Sequence, residues 1–263
     1  ENINKQDNTI SPNHSPAPAE PGLWSSIKLA IRGSNMDYTE IKLSRALLLL
    51  AIPMVLEMIM ESIFAVVDIF FVSKLGAHAT SAVGITESMM TIIYALGFGL
   101  SIGTTAMVSR RIGEKKPKEA AVTAVQAILT GLGVSLVLSL PAIFFAKDLL
   151  QIMGAEAETV AMGSAYTAIM LGSNGLIMLL FIINAIFRSA GDAAISMRVL
   201  YLANLTNIIL DPCLIFGLGP FPELGVKGAA IATCIGRGLA VFYQFYLLFN
   251  GRARVKIAFE QFK

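Results

Sequence analysis

Long apolar runs alternate with short polar breaks along this chain, and the runs have the length of membrane crossings. A transmembrane helix needs about 20 mostly apolar residues. Six stretches meet that need, at about 46–73, 80–109, 120–146, 160–187, 195–217 and 226–249. Breakers separate them: Lys74-Leu75-Gly76, the run from Arg111 to Pro117, Lys147-Asp148, Ser189-Ala190-Gly191-Asp192 and Gly219-Pro220-Phe221-Pro222. The pattern predicts an all-α, polytopic membrane protein whose six spans occupy 46–249. Glycines recur inside the spans, at Gly97, Gly99, Gly103, Gly131, Gly133, Gly172 and Gly175. Small residues are enriched where membrane helices approach closely, so GFGLSIG at 97–103 is expected to be a packing seam. No strand precedes it, which removes the dinucleotide-binding reading.

The flanks read differently. Residues 1–22 are polar and proline-rich, the composition of a disordered tail, and they lack the apolar core of a signal peptide. The chain opens on Glu1 rather than Met, as a trimmed or processed start would. Residues 23–45 are mildly amphipathic and basic and are expected to form a lead-in at the membrane surface, and 250–263 the start of an inter-lobe linker.

Loop charge orients the spans. Five Lys/Arg precede the first span, five lie within 110–118, two flank the fourth loop as Arg188 and Arg198, and four follow the last span. The alternate loops hold only Lys74, Lys147 and Lys227. Lys and Arg accumulate on the cytoplasmic side of membrane proteins. Both ends are therefore expected to be cytoplasmic, with the loops near His78, Glu156 and Glu223 outside.

Composition then narrows the function. The chain is 55% hydrophobic and 14% charged, against about a quarter charged in a soluble domain. A net charge of +2 gives no reason to expect a nucleic-acid partner. Cys213 and Cys234 sit in apolar runs, and the two histidines are His14 in the tail and His78 in a loop. A zinc site, a disulfide framework or a nucleophile–base pair has almost nothing to work with. No phosphate-binding GxxxxGK[ST] loop is present, so ATP does not drive this chain directly. No cofactor is expected.

What stands out is ionisable groups inside spans, each costing roughly 2.5–3.5 kcal/mol on insertion scales. The first span carries Glu57, Glu61 and Asp68. At ~100° per residue, Glu61 lies ~40° and Asp68 ~20° from Glu57, so all three share one face. Three carboxylates on one face in low dielectric do not all ionise readily, and such a site can exchange protons or sodium ions. Asp68 lies about six residues, or ~9 Å, from the outer end of span one. Asp211 lies at the same depth in span five, with Asn207 one turn deeper, while Thr233 and Glu87 reach that level from spans six and two. Carboxylate, amide and hydroxyl oxygens together suit sodium or a proton. Structural alternatives stand beside each. Asp211 precedes Pro212 and could end a helix; Asn207 could bond a neighbouring helix; Thr233 could bond its own backbone. Glu57, Glu61 and Glu87 either pair with a basic group such as Arg237 or serve transport. Pro53, deep in span one, is expected to kink it.

The ordered motifs carry a resemblance. IPMVLEMIMESIFAVVDIFFVSKLGA at 52–77, AVGITES at 82–88, the G-x-x-x-A-x-x-S-R-R-I-G-E segment closing span two, R-S-A-G-D at 188–192 and NIILDPCLIFGLGPFPELGVKGAAIAT at 207–233 resemble the multidrug and toxic compound extrusion (MATE) family over about 46–249. That resemblance implies a bacterial inner-membrane antiporter of twelve spans, made of two six-helix lobes, exporting organic cations in exchange for sodium or protons. It implies an N-lobe cation site at Asp68, Asn207 and Asp211, a looser match at Thr233, and a kink at Pro53. The chain stops after span six, where a family member continues into a second lobe. Glu57, Glu61 and Glu87 fall outside the family pattern. A flippase of lipid-linked oligosaccharides from the same superfamily is the nearest alternative, though its cavity is usually more basic; a membrane subunit without transport is another.

Overall fold

The computed structural model describes residues 23–33 and 42–250. The tail at 1–22, the middle of the lead-in at 34–41 and the linker after Asn250 lie outside the described residues. Nine helices occupy the described part and no strand does: α1 Leu23–Arg32, α2 Leu43–Ser73, α3 Ala77–Gly113, α4 Pro117–Phe144, α5 Ala146–Ile152, α6 Ala157–Gly172, α7 Asn174–Ser189, α8 Ala193–Phe216 and α9 Val226–Phe249. Six segments are long and apolar enough to cross a membrane: α2, α3, α4, α6 with α7, α8 and α9. They are the six spans that the apolar pattern predicts, with span two longer at both ends.

Two apolar layers hold the bundle together. One lies towards the end that carries the 110–118 loop and includes Val108, Ile128, Ile183, Phe187, Val199 and Leu248. The other lies towards the opposite end and includes Val72, Val83, Met90, Tyr166, Met178 and Ile215. Span four is the most enclosed and span one the least. Met58, Val66 and Phe70 of span one are exposed, as side chains facing lipid or a central cavity must be.

Three local features depart from the pattern. Span four is not one rod, because Ser173 interrupts it between α6 and α7. There the Asn174 Nδ2 donates to the Leu171 carbonyl at 2.8 Å, and the Leu176 amide reaches only back to Ser173. A side-chain amide that competes for a helical carbonyl, flanked by Gly172 and Gly175, is enough to break the ladder locally. The break at Lys147-Asp148 is occupied by the short helix α5. In GFGLSIG, Gly97 packs against Phe181, but Gly99 and Gly103 face open space, so the expected seam is confined to its first glycine.

Proline behaves as membrane helices allow. α2 runs unbroken through Pro53, α4 through Pro141 and α8 through Pro212. Asp211 is therefore inside a helix that continues to Phe216, which rules out the helix-end reading.

Candidate functional site

The site forms where α2, α8 and α9 meet. Asp68 comes from α2, Asn207 and Asp211 from α8, and Thr233 from α9. Asn207 and Asp211 are four residues apart and so share one face of α8. α9 approaches that face closely because Gly228 and Gly236 bring its backbone against the carbonyls of Leu214 and Ala203. The Asn207 Nδ2 donates to the Thr233 Oγ1 at 2.8 Å. Asn207 therefore does bond a neighbouring helix, and Thr233 is engaged across helices rather than with its own backbone.

The remaining oxygens are the telling part. Asp211 is fully buried, Asn207 is 2% exposed and Thr233 is 5% exposed. Among the described residues, no donor reaches either carboxylate oxygen of Asp211, the Asn207 Oδ1 or one oxygen of Asp68. The two carboxyl groups are close enough to influence each other electrostatically. A buried acceptor left without a donor costs about 1–3 kcal/mol, more if charged, so this set calls for a positive partner. A proton shared between the carboxylates, or a hard monovalent cation held by carboxylate, amide and hydroxyl oxygens, would satisfy it.

The other acids of span one turn out to be engaged. The Arg188 Nη1 donates to the Glu57 Oε1 at 3.4 Å, so the partner of Glu57 is Arg188 and not Arg237. The Asn204 Nδ2 donates to the Glu61 Oε2 at 3.0 Å, and the Tyr201 hydroxyl donates to the Leu56 carbonyl at 3.4 Å. Arg237 lies one turn along α9 from Thr233 and its Nη2 reaches the Tyr94 hydroxyl at 3.5 Å. The same guanidinium is near enough to Glu61 and Glu87 to feel their charge, and Glu87 likewise influences Asp68. The polar face of span one is thus docked mainly on α8, with Asp68 nearest the Ser73 end of α2. Sequence reasoning missed Asn204, Tyr94 and Arg188. Asn204 was findable, since it lies one helical turn before Asn207 on the same side of α8.

The Glu57–Arg188 pair is expected to be structural. Glu57→Gln should lower the thermal unfolding midpoint in detergent, and a double-mutant cycle with Arg188→Gln should give a coupling on the order of 1 kcal/mol. Coupling of zero would mean that the pair holds nothing together.

At the loop end, Glu114 sits outside the spans. Its hydrogen bond from Arg110, at 2.9 Å, and those of its other basic neighbours hold its carboxyl below the usual glutamate range.

Comparison with known proteins agrees with this architecture. The family model described as MatE matches residues 53–213. A FAD transporter from Shewanella oneidensis is 33% identical over 208 residues, 78% of this chain and 46% of that protein. The multidrug export protein MepA of Staphylococcus aureus is 31% identical, again over 78% of this chain and 45% of its own length. The solved outward-facing structure of a multidrug resistance MATE family transporter of the MOP superfamily has a TM-score of 0.77 at 30% identity, covering 89% of this chain and 50% of that one. The chain thus spans about half the length of the relatives it matches. With the MatE model matching more than half of its residues, and six spans arranged as in a solved MATE transporter, the chain belongs to the MATE family of membrane transporters.

Proposed function

We propose that this six-helix lobe is the cation-binding half of a secondary exporter of organic cations, coupled to sodium or proton entry. The observation that carries the reading is the donor-free oxygen set of Asp68, Asn207 and Asp211, completed by Thr233. Its working counterpart is a second lobe of similar size. That part of the reading is supported by relatives twice as long, and alternating access needs two bodies that rock against each other. Membership of a transporter family favours transport over catalysis.

Glu57 is paired with Arg188, and Arg237 offsets part of the charge of Glu61 and Glu87. The described wall therefore keeps a modest negative excess, which favours cations. MepA is a multidrug export protein, whereas the FAD transporter shares 33% identity, and Arg237 is the group that an anionic cargo would seek. Vesicles of the full-length parent should export a fluorescent cation under an imposed sodium or proton gradient. Export of FAD without export of the dye would overturn the cationic assignment, and export that ignores both gradients would overturn the coupling.

Orientation belongs to the same reading. Both ends are cytoplasmic, because Lys and Arg crowd that side. Single cysteines introduced at His78, Glu156 and Glu223 should react with an impermeant reagent on intact cells. Protection at all three would reverse the topology.

A further inference from the structure

We propose that the end of the bundle where span one begins holds an anionic phospholipid, bound jointly by α1 and the cleft between α8 and α9.

α1 is amphipathic and only partly covered. Ala30 is buried against the bundle and Ile27 half-buried, but Trp24 is 82% exposed and Ile31 is exposed too. Trp24 and Ile31 lie ~20° apart around the helix, with Lys28 ~40° and Arg32 ~80° from Trp24 on one flank. A helix with a bare apolar edge bordered by cations, attached to the start of a membrane span, lies in the headgroup boundary. Tryptophan concentrates at that depth.

The far end of α1 is pinned in place. The Arg198 Nη2 donates to the carbonyls of Ile31 and Arg32 at 3.0 and 2.7 Å, satisfying groups that a helix end leaves without partners. Beside Arg198 opens a cleft of about 190 Å³ lined by Ile195, Arg198, Tyr243 and Leu247. That is below the roughly 300–1,000 Å³ of pockets for drug-sized ligands. A guanidinium and a phenol beside two aliphatic side chains match a phosphate that continues into hydrocarbon. The acyl chains would run along the exposed Leu202, Leu239 and Phe242.

Charge selects the headgroup. Lys28, Arg32, Arg45 and Arg198 lie on the elements that meet at this end of the described structure. Each basic residue near an anionic surface favours binding by about fivefold. The bound lipid braces the entry of span one against α8 and α9, which carry Asn207, Asp211 and Thr233. Naming the leaflet as the inner one rests on the orientation proposed above, but the site itself does not.

Trp24 is the sole tryptophan, so it reports on its own surroundings. The 263-residue chain would be reconstituted in phosphatidylcholine vesicles containing equal mole fractions of either brominated phosphatidylglycerol or brominated phosphatidylcholine. Both leaflets carry the probe, so the outcome does not depend on orientation. The expected result is blue-shifted Trp24 emission, quenched preferentially by the brominated phosphatidylglycerol. Lys28→Gln with Arg32→Gln should reduce that preference by at least about fivefold while the emission stays blue-shifted. The backbone carbonyls that Arg198 holds are untouched by this pair, so the change reads charge and not unfolding. Arg198→Gln should reduce the preference as well. Inorganic phosphate at constant ionic strength should leave quenching unchanged; if phosphate abolishes the preference, the site takes a free anion and the lipid assignment fails. Equal quenching by the two brominated lipids, emission typical of water, or a preference indifferent to the double substitution would each overturn the proposal.

Discussion

Asp68→Asn in the full-length transporter is expected to abolish cation-coupled export while the protein still folds and inserts. The carboxyl lies close to that of Asp211, and buried oxygens of both have no donor among the described residues. An amide keeps the shape and can donate to Asp211, so the fold loses nothing and gains relief from two like charges held in low dielectric. What disappears is the charge that binds a cation and the proton that can be released. Losing a charge-assisted contact to the coupling ion costs about 2–3 kcal/mol, equivalent to roughly 100-fold in coupled rate. Asp211→Asn should act in the same direction. Thr233→Ala removes one neutral oxygen and the bond from Asn207, and should weaken coupling more mildly. Thermal unfolding with and without sodium, at two pH values, separates loss of coupling from loss of fold. The variant should keep or raise the wild-type midpoint and lose its response to the ion. Dye export by Asp68→Asn at the wild-type rate, with unchanged dependence on sodium and pH, would remove Asp68 from the site.

Much of this architecture is legible in the sequence because the bilayer leaves few options. A run of twenty apolar residues has to be a helix, and backbone polar groups have to be satisfied within it. The meeting of Asp68, Asn207, Asp211 and Thr233 follows from depth counting along antiparallel spans, since each residue adds a fixed rise of about 1.5 Å. Depth counting fails where partners lie at different heights or on unexpected faces. The sign of Glu57 points to some basic partner such as Arg237, yet Arg188, in the last turn of α7, is the one that meets it. The interruption at Ser173 depends on one side-chain amide choosing a backbone carbonyl, and hydropathy does not register that choice. Glycine content misleads for a related reason. Gly99 and Gly103 resemble a seam and touch nothing, whereas Gly228 and Gly236, which lie in no such run, set the spacing of α9 on α8. Composition records that a residue is small, but not which helix it faces.

Gly236→Leu should damage both the fold and the ion response. A Cβ at Gly236 would lie 2.5 Å from the carbonyl oxygen of Ala203 and 3.5 Å from the Asn207 Cβ. The first of these is backbone of α8 and has no rotamer through which to yield, so α9 itself has to move away. Overpacking of this kind costs about 1–3 kcal/mol even where side chains can adjust, and a rigid carbonyl puts this site at the upper end. The shift also separates Asn207 from Thr233, which lies three residues before Gly236 on α9 and whose 2.8 Å bond fixes one edge of the proposed cation site. Two readouts should therefore fall together: the unfolding midpoint in detergent and the stabilisation by sodium or by a change of pH. Gly238→Leu is the control, because a Cβ there meets nothing nearer than Leu176 Cδ1 at 4.0 Å. That variant should match the wild type or exceed it slightly, since leucine favours a helix over glycine by up to about 1 kcal/mol. If Gly236→Leu retained the wild-type midpoint and ion response, close packing of α8 on α9 would not be what builds the site.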